Sequence, residues 1–122
     1  MDKKQFWPTI FILIVVVGAV ILIEGFFPKD PDLEYADFAK CLTTQGWIMY
    51  GTATCPHCID QKAMFKDAFR YVNYVACDVD PGKCVEKDIY EVPTWTSFSG
   101  ERLSGVQTLE ELSRLSGCDL PQ

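Results

Sequence analysis

The sequence predicts an α/β domain, a four-stranded mixed sheet flanked by helices, preceded by one N-terminal transmembrane helix. Three observations carry this. An apolar run opens the chain, strand-like and helix-like periods then alternate before ending in an antiparallel pair, and the stretch GTATCPHCIDQK, Gly51 to Lys62, sets two cysteines where a strand gives way to a helix. Alternating strands and helices followed by a hairpin call for a mixed sheet covered on both faces.

From Phe6 to Phe27 the only strongly polar side chain is Glu24, so residues 1–27 read as a membrane anchor and 28–122 as one small domain. As a helix the run spans about 33 Å at 1.5 Å per residue, enough for a hydrocarbon core of roughly 30 Å. Lys3 and Lys4 precede it, and Glu24, Asp30, Asp32 and Glu34 follow. That asymmetry keeps the N-terminus cytoplasmic and the domain on the periplasmic or other extracytoplasmic side. Trp7 at one end and Phe26 with Phe27 at the other suit the interfacial belts. A cleaved signal peptide is the competing reading; the run ends in ILIEGFFP, bulky residues rather than an A-x-A site, and either reading exports the domain.

The formal net charge of −6 argues against nucleic acid as a partner. Six cysteines in 122 residues suit an oxidising compartment, where they make three pairs.

In order along the chain, Asp30 is expected to cap a helix with Pro31 at its first position and Tyr35, Phe38, Ala39 and Leu42 on its apolar face, ended by Gly46. WIMYG, 47–51, is a short buried strand. A helix is expected from Pro56 to about Phe69, its apolar face formed by Cys58, Ile59, Ala63, Met64, Phe65 and Phe69. YVNYVAC, 71–77, alternates as a second strand, and DVDPGKCVEKDI turns into a short helix. YEVPTWTSFSGERLSG gives two strands joined at Ser99-Gly100. Thr108 and Glu111 stand at capping-box spacing ahead of a last helix carrying Leu109, Leu112 and Leu115, stopped at Gly117. Trp47, Tyr50, Phe65, Phe69 and Trp95 read as core, and Asp78, Asp80, Glu110 and Glu111 as solvated faces and helix ends.

With Cys55 at the N-cap and Pro56 at the first helical position, free N–H groups and the positive end of the helix dipole point at the Cys55 sulfur and favour thiolate. Protonated His57 adds a second charge. Cysteines so placed titrate anywhere from about 3.5 to 7.5. Cys55 is the expected attacking thiol and Cys58, one turn on, the resolving one. The bland alternatives are a structural disulfide, or zinc held by Cys55, Cys58, Cys77 and Cys84. Cys77 and Cys84 flank a tight turn and can close locally; Cys41 and Cys118, on the first helix and just past the last, can close a long loop. Spacing leaves the connectivity open, including a relay role for Cys77 and Cys84.

From about Leu33 to Cys118 the chain resembles the thioredoxin superfamily, and the predicted fold is thioredoxin-like. CPHC matches DsbA-type disulfide oxidases. EVPTW resembles the superfamily's cis-proline loop, which makes Pro93 cis and puts Val92, Pro93 and Thr94 against a substrate peptide. YGTATCPHC, VPTW and the terminal LSGC are similar to the small domains fused to, or accompanying, bacterial vitamin K epoxide reductase homologues. The resemblance implies a thiol-disulfide oxidoreductase with no cofactor or metal of its own. Its catalytic residues would be Cys55, Cys58, His57 and Pro56, its substrates exported cysteine-containing proteins, and its regenerating partner a quinone-linked membrane oxidase of the vitamin K epoxide reductase type, with membrane lipid holding the anchor. WIMYG lacks the buried carboxylate of cytosolic thioredoxin and Thr54 replaces a frequent Trp, which weighs against a reductase. Reductase or isomerase activity, or a client- or metal-binding module, are the alternatives.

Overall fold

The computed structural model describes residues 3–24 and 33–122, with side chains described from 7 to 20 in the first stretch. The chain divides into two compact units, Met1–Asp30 and Pro31–Gln122. Phe26, Phe27, Pro28, Asp30 and Pro31 lie outside the described residues, and with them the outer aromatic belt, the start of the domain and the expected Asp30 cap.

In the first unit, helix α1 spans Lys3–Glu24. Trp7, Ile10, Phe11, Leu13, Ile14 and Val17 are all exposed, so the helix has no separate polar and apolar faces. Among the described residues no helix is long and apolar enough to cross a membrane, so the expected transmembrane helix is not found there.

The second unit begins its regular structure with α2, Ala36–Thr44, entered from Tyr35 without a side-chain cap. Phe38, Ala39 and Leu42 bury the face their spacing defines. The Thr43 hydroxyl donates to the Tyr71 carbonyl (2.7 Å) and accepts from the Asn73 N–H (3.0 Å), fastening this helix to the chain that enters the second strand. Gly46 turns the chain at φ 78°, where a Cβ would stand 2.7 Å from the Phe98 Cβ, so no other residue fits without displacement.

The sheet holds β1 (Ile48–Gly51), β2 (Tyr74–Ala76), β3 (Thr94–Thr96) and β4 (Arg102–Ser104) in the order β2-β1-β3-β4. β1 runs parallel to β2, pairing Met49 with Tyr74 and Gly51 with Ala76, and antiparallel to β3, pairing Tyr50 with Thr94. β3 and β4 form the predicted hairpin, turned at Gly100 with φ 98°. Strand alternation sends Trp47, Met49, Trp95 and Leu103 into the main core with Phe38, Phe65 and Leu112, and sends Ile48 and Tyr50 into a smaller one with Cys84 and Ile89. Helices α2, α3 (Pro56–Met64) and α5 (Leu109–Ser116) therefore cover one face and α4 (Pro81–Glu86) the other. Phe65 centres the main core, its ring 5.9 Å from Phe38 and 6.0 Å from Trp95; burying each such aromatic stabilises by about 1.5–3 kcal/mol.

Two elements differ from expectation. The helix from Pro56 does not run on to Phe69: α3 ends at Met64, Lys66 takes a left-handed φ of 51°, and a 3-10 helix follows over Lys66–Tyr71. No glycine or proline marks the break; burial of both Phe65 and Ala68 sets it. That tighter turn consumes Tyr71, so β2 covers Tyr74–Ala76 instead of the whole of 71–77. The capping assignments hold elsewhere: Thr108 accepts from the Glu111 N–H at 3.1 Å, and Gly117 closes α5 at φ 72°.

Candidate active site

β1 delivers the chain to the start of α3, and the turn between them is held by the Ala53 N–H donating to the Asp78 carboxylate at 3.1 Å. Cys55 is the N-cap, with extended backbone, and Pro56 occupies the first turn, where its missing N–H costs nothing. The Cys58 N–H donates to the Cys55 sulfur at 3.3 Å, and the Ile59 N–H donates to the Cys55 carbonyl at 3.1 Å. From the other side the Cys55 thiol donates to the Val92 carbonyl at 3.7 Å. One half-exposed sulfur thus sits between a helix start and the loop ahead of β3.

Cys58 is the opposite case, with no exposed surface. Burial, then its hydrogen bond with Cys55, pushes its thiol up to about 11, against smaller downward pulls from the Thr52 backbone and the Lys62 ammonium. Both cysteines are free thiols. Pro56 and His57 are exposed beside them, so His57 is open to solvent and to whatever docks over the pair.

The Val92–Pro93 bond is cis. Val92 is half-buried and Pro93 buried. Thr94 is 2% exposed, its hydroxyl donates to the Glu91 carbonyl at 2.7 Å, and its backbone is paired between β1 and β4. The remaining cysteines form two disulfides, Cys41–Cys118 and Cys77–Cys84, with Cα separations of 5.8 and 5.7 Å. The second removes two of the four thiolates that zinc would require. Among the described residues no cluster of His, Cys, Asp or Glu could hold a metal.

Three supporting residues escape the sequence reading. Gln61 is fully buried; its amide oxygen accepts from Trp95 Nε1 (3.2 Å) and the Gln107 N–H (2.7 Å), and its amide nitrogen donates to the Gln107 carbonyl (3.0 Å). It lies three residues after Cys58 and four before Phe65, on the same helical stripe, which is the signal that could have found it. Lys62 stands with its Nζ 3.9 Å from the Tyr74 ring centroid. Asp78, read as solvated, anchors the turn before Cys55.

No protein-family model matches the chain. It is 38% identical over 93 residues to the thiol-disulfide oxidoreductase LTO1 of Arabidopsis thaliana, an alignment covering 69% of this chain and 24% of that protein. Among solved structures it is similar to the NTD_N/C domain of the alkylhydroperoxide reductase AhpF from Enterococcus faecalis, at 21% identity and a TM-score of 0.46, covering 73% of this chain and 44% of that one. The chain spans about a quarter of the length of the curated relative. Its likeness to that relative, taken with the sheet order and the cysteine pair at the start of α3, supports the thioredoxin superfamily.

Proposed function

We propose that this chain is an extracytoplasmic thiol-disulfide oxidoreductase that donates the Cys55–Cys58 disulfide to exported proteins. The oxidoreductase activity is supported by the similarity to the plant thiol-disulfide oxidoreductase. The observation that carries the assignment is the unequal pair: Cys55 half-exposed at a helix N-cap and Cys58 buried one turn on, both free while the other four cysteines are closed.

In the oxidised protein a client thiolate attacks Cys55, forming a client–Cys55 bond as the Cys55–Cys58 bond breaks and Cys58 leaves with the electron pair. A second client thiolate attacks the client sulfur, Cys55 leaves, and the client departs as a disulfide. The protein keeps two electrons as a dithiol. The Val92 carbonyl, already within reach of the Cys55 sulfur, lines the strip along which a client peptide lies. A membrane oxidase of the vitamin K epoxide reductase type then takes the two electrons and two protons to its quinone. The apolar α1 tethers the domain to the membrane and raises its effective concentration near that oxidase.

Cys58→Ser is the direct test. With the resolving sulfur gone, clients and the membrane oxidase accumulate as mixed disulfides on Cys55, identifiable by mass spectrometry; capture of neither overturns the reading. The direction of electron flow is checked by the reduction potential of the pair, expected well above the roughly −270 mV of thioredoxin. A value at or below that makes the domain a reductase.

A further inference from the structure

In the exchange reaction proposed above, on which this inference rests, attack at Cys55 expels Cys58 as a thiolate into a site with no exposed surface. Something there has to receive the charge. Thr52 and Lys62 contribute, but a further hydroxyl nearby is unspent. Tyr74 on β2 has a buried hydroxyl that makes no hydrogen bond, the one such side-chain atom among the described residues. Buried phenols ordinarily find a partner, and one left idle is costly.

Its position suggests what it is for. A Cβ built on Gly51 would lie 3.1 Å from the Cys58 sulfur and 3.3 Å from the Tyr74 hydroxyl oxygen. Sulfur and hydroxyl therefore border one small volume, which stays open because residue 51 has no side chain. The ring is held in place by Phe69, edge-on at 5.6 Å, and by the Lys62 ammonium 3.9 Å from its centroid. Lys62 is the charged group packed on the phenol, and a cation over the ring face draws electron density from the oxygen into the ring and strengthens the O–H as a donor.

We propose that the Tyr74 hydroxyl donates a hydrogen bond to the Cys58 sulfur as the Cys55–Cys58 bond breaks, stabilising the departing thiolate. No electrons or protons are added. The pair released from the broken S–S bond resides on Cys58, and the phenol keeps its proton throughout. The same contact, in reverse, assists Cys58 when it attacks a mixed disulfide on Cys55. The phenol thus supplies from a neighbouring strand the polar support that WIMYG, lacking a carboxylate, cannot supply from β1.

Tyr74→Phe removes one oxygen and little else. Stopped-flow measurement with an oxidised full-length protein and a small reduced cysteine peptide should show mixed-disulfide formation slowed about tenfold. Thermal stability should be unchanged or higher, since an unpaired buried hydroxyl has been removed. The equilibrium potential at neutral pH should not move, because Cys58 holds its proton in the reduced ground state. A rate equal to wild type overturns the inference alone. A rate that falls only in step with lost thermal stability assigns Tyr74 to packing and also overturns it. If the unmodified protein forms no mixed disulfide on Cys55, the functional reading fails and this inference with it.

Discussion

Cys55 with Cys58 and Cys77 with Cys84 are both short-range pairs, three and seven residues apart, and the fold treats them in opposite ways. Cys77 follows β2 and Cys84 lies in α4, with Asp80 capping the helix between them by accepting from the Lys83 N–H at 3.4 Å. Their disulfide pins a turn against the smaller core, and Cys84 is only 3% exposed. Cys55 and Cys58 instead share one helix start, Cys58 buried in the main core and Cys55 half-buried at its edge, next to the Val92 carbonyl. Both staples likewise join a half-buried cysteine to a buried one, so shelter alone does not separate the two kinds of pair. What separates them is position: Cys55 caps a helix beside the Val92 carbonyl, with its sulfur accepting from the Cys58 N–H, so an incoming thiolate meets it before the buried Cys58.

The widest separation between the two kinds of pair should appear in stability. Replacing Cys41 and Cys118 by alanine opens a loop of sequence separation 77 and should cost about 4.5 kcal/mol in the chain-entropy model; the same change at Cys77 and Cys84, separation 7, should cost about 2.5 kcal/mol. Urea unfolding of the two double variants measures both. Neither change should slow exchange through Cys55 at temperatures where the variants stay folded. A turnover defect confined to the Cys77/Cys84 variant would convert that staple into an electron relay.

A smaller effect tests how rigidly the reactive end is supported. Gln61→Leu leaves the Trp95 indole N–H and the Gln107 N–H without the acceptor they share at 3.2 and 2.7 Å. Two stranded donors in a buried site should cost roughly 2–4 kcal/mol. Calorimetry of the variant checks this, and Gln61→Glu, which keeps the acceptor, should recover part of the loss only where the carboxyl is protonated. A Leu variant as stable as the parent would mean water replaces the glutamine.

Much of this was legible beforehand, for physical reasons that differ by region. Proline after Cys55 and the glycine-bounded apolar run before it state a strand, a turn and a helix start in adjacent residues, so the reactive pair could be placed from local rules. The hairpin at Gly100 and the cap at Thr108 are equally local. For Thr94, sequence gives proximity to a loop but not the commitment of its hydroxyl to the Glu91 carbonyl. The early end of α3 was invisible because Phe65, Ala68 and Val72 are buried by tertiary packing that no cap or breaker announces. Gln61 and Tyr74 were missed for a shared reason: each is a polar group in an apolar pattern, and its worth depends on partners from distant segments, Gln107 and Trp95 for one, Gly51 and Cys58 for the other.

The smallest expected difference is also the one specific to Cys58. Closed disulfides do not titrate, whereas the Cys58 thiol, held up to about 11 by burial from an ordinary 9.0, does. A thiol whose folded value exceeds its unfolded one favours the fold while protonated. That contribution is whole below pH 9, where folded and unfolded chains both carry the proton, and is lost as pH rises toward 11, where the unfolded chain alone has released it. Cys55→Ser isolates the effect, since it leaves Cys58 a free thiol without reductant and both staples closed. Its unfolding free energy should fall more between pH 8 and pH 10.5 than that of the Cys55→Ser, Cys58→Ser double variant, the lysines and tyrosines being common to both. Parallel pH profiles would mean that water reaches the inner sulfur as readily as the outer one, and the inequality on which exchange depends would be gone.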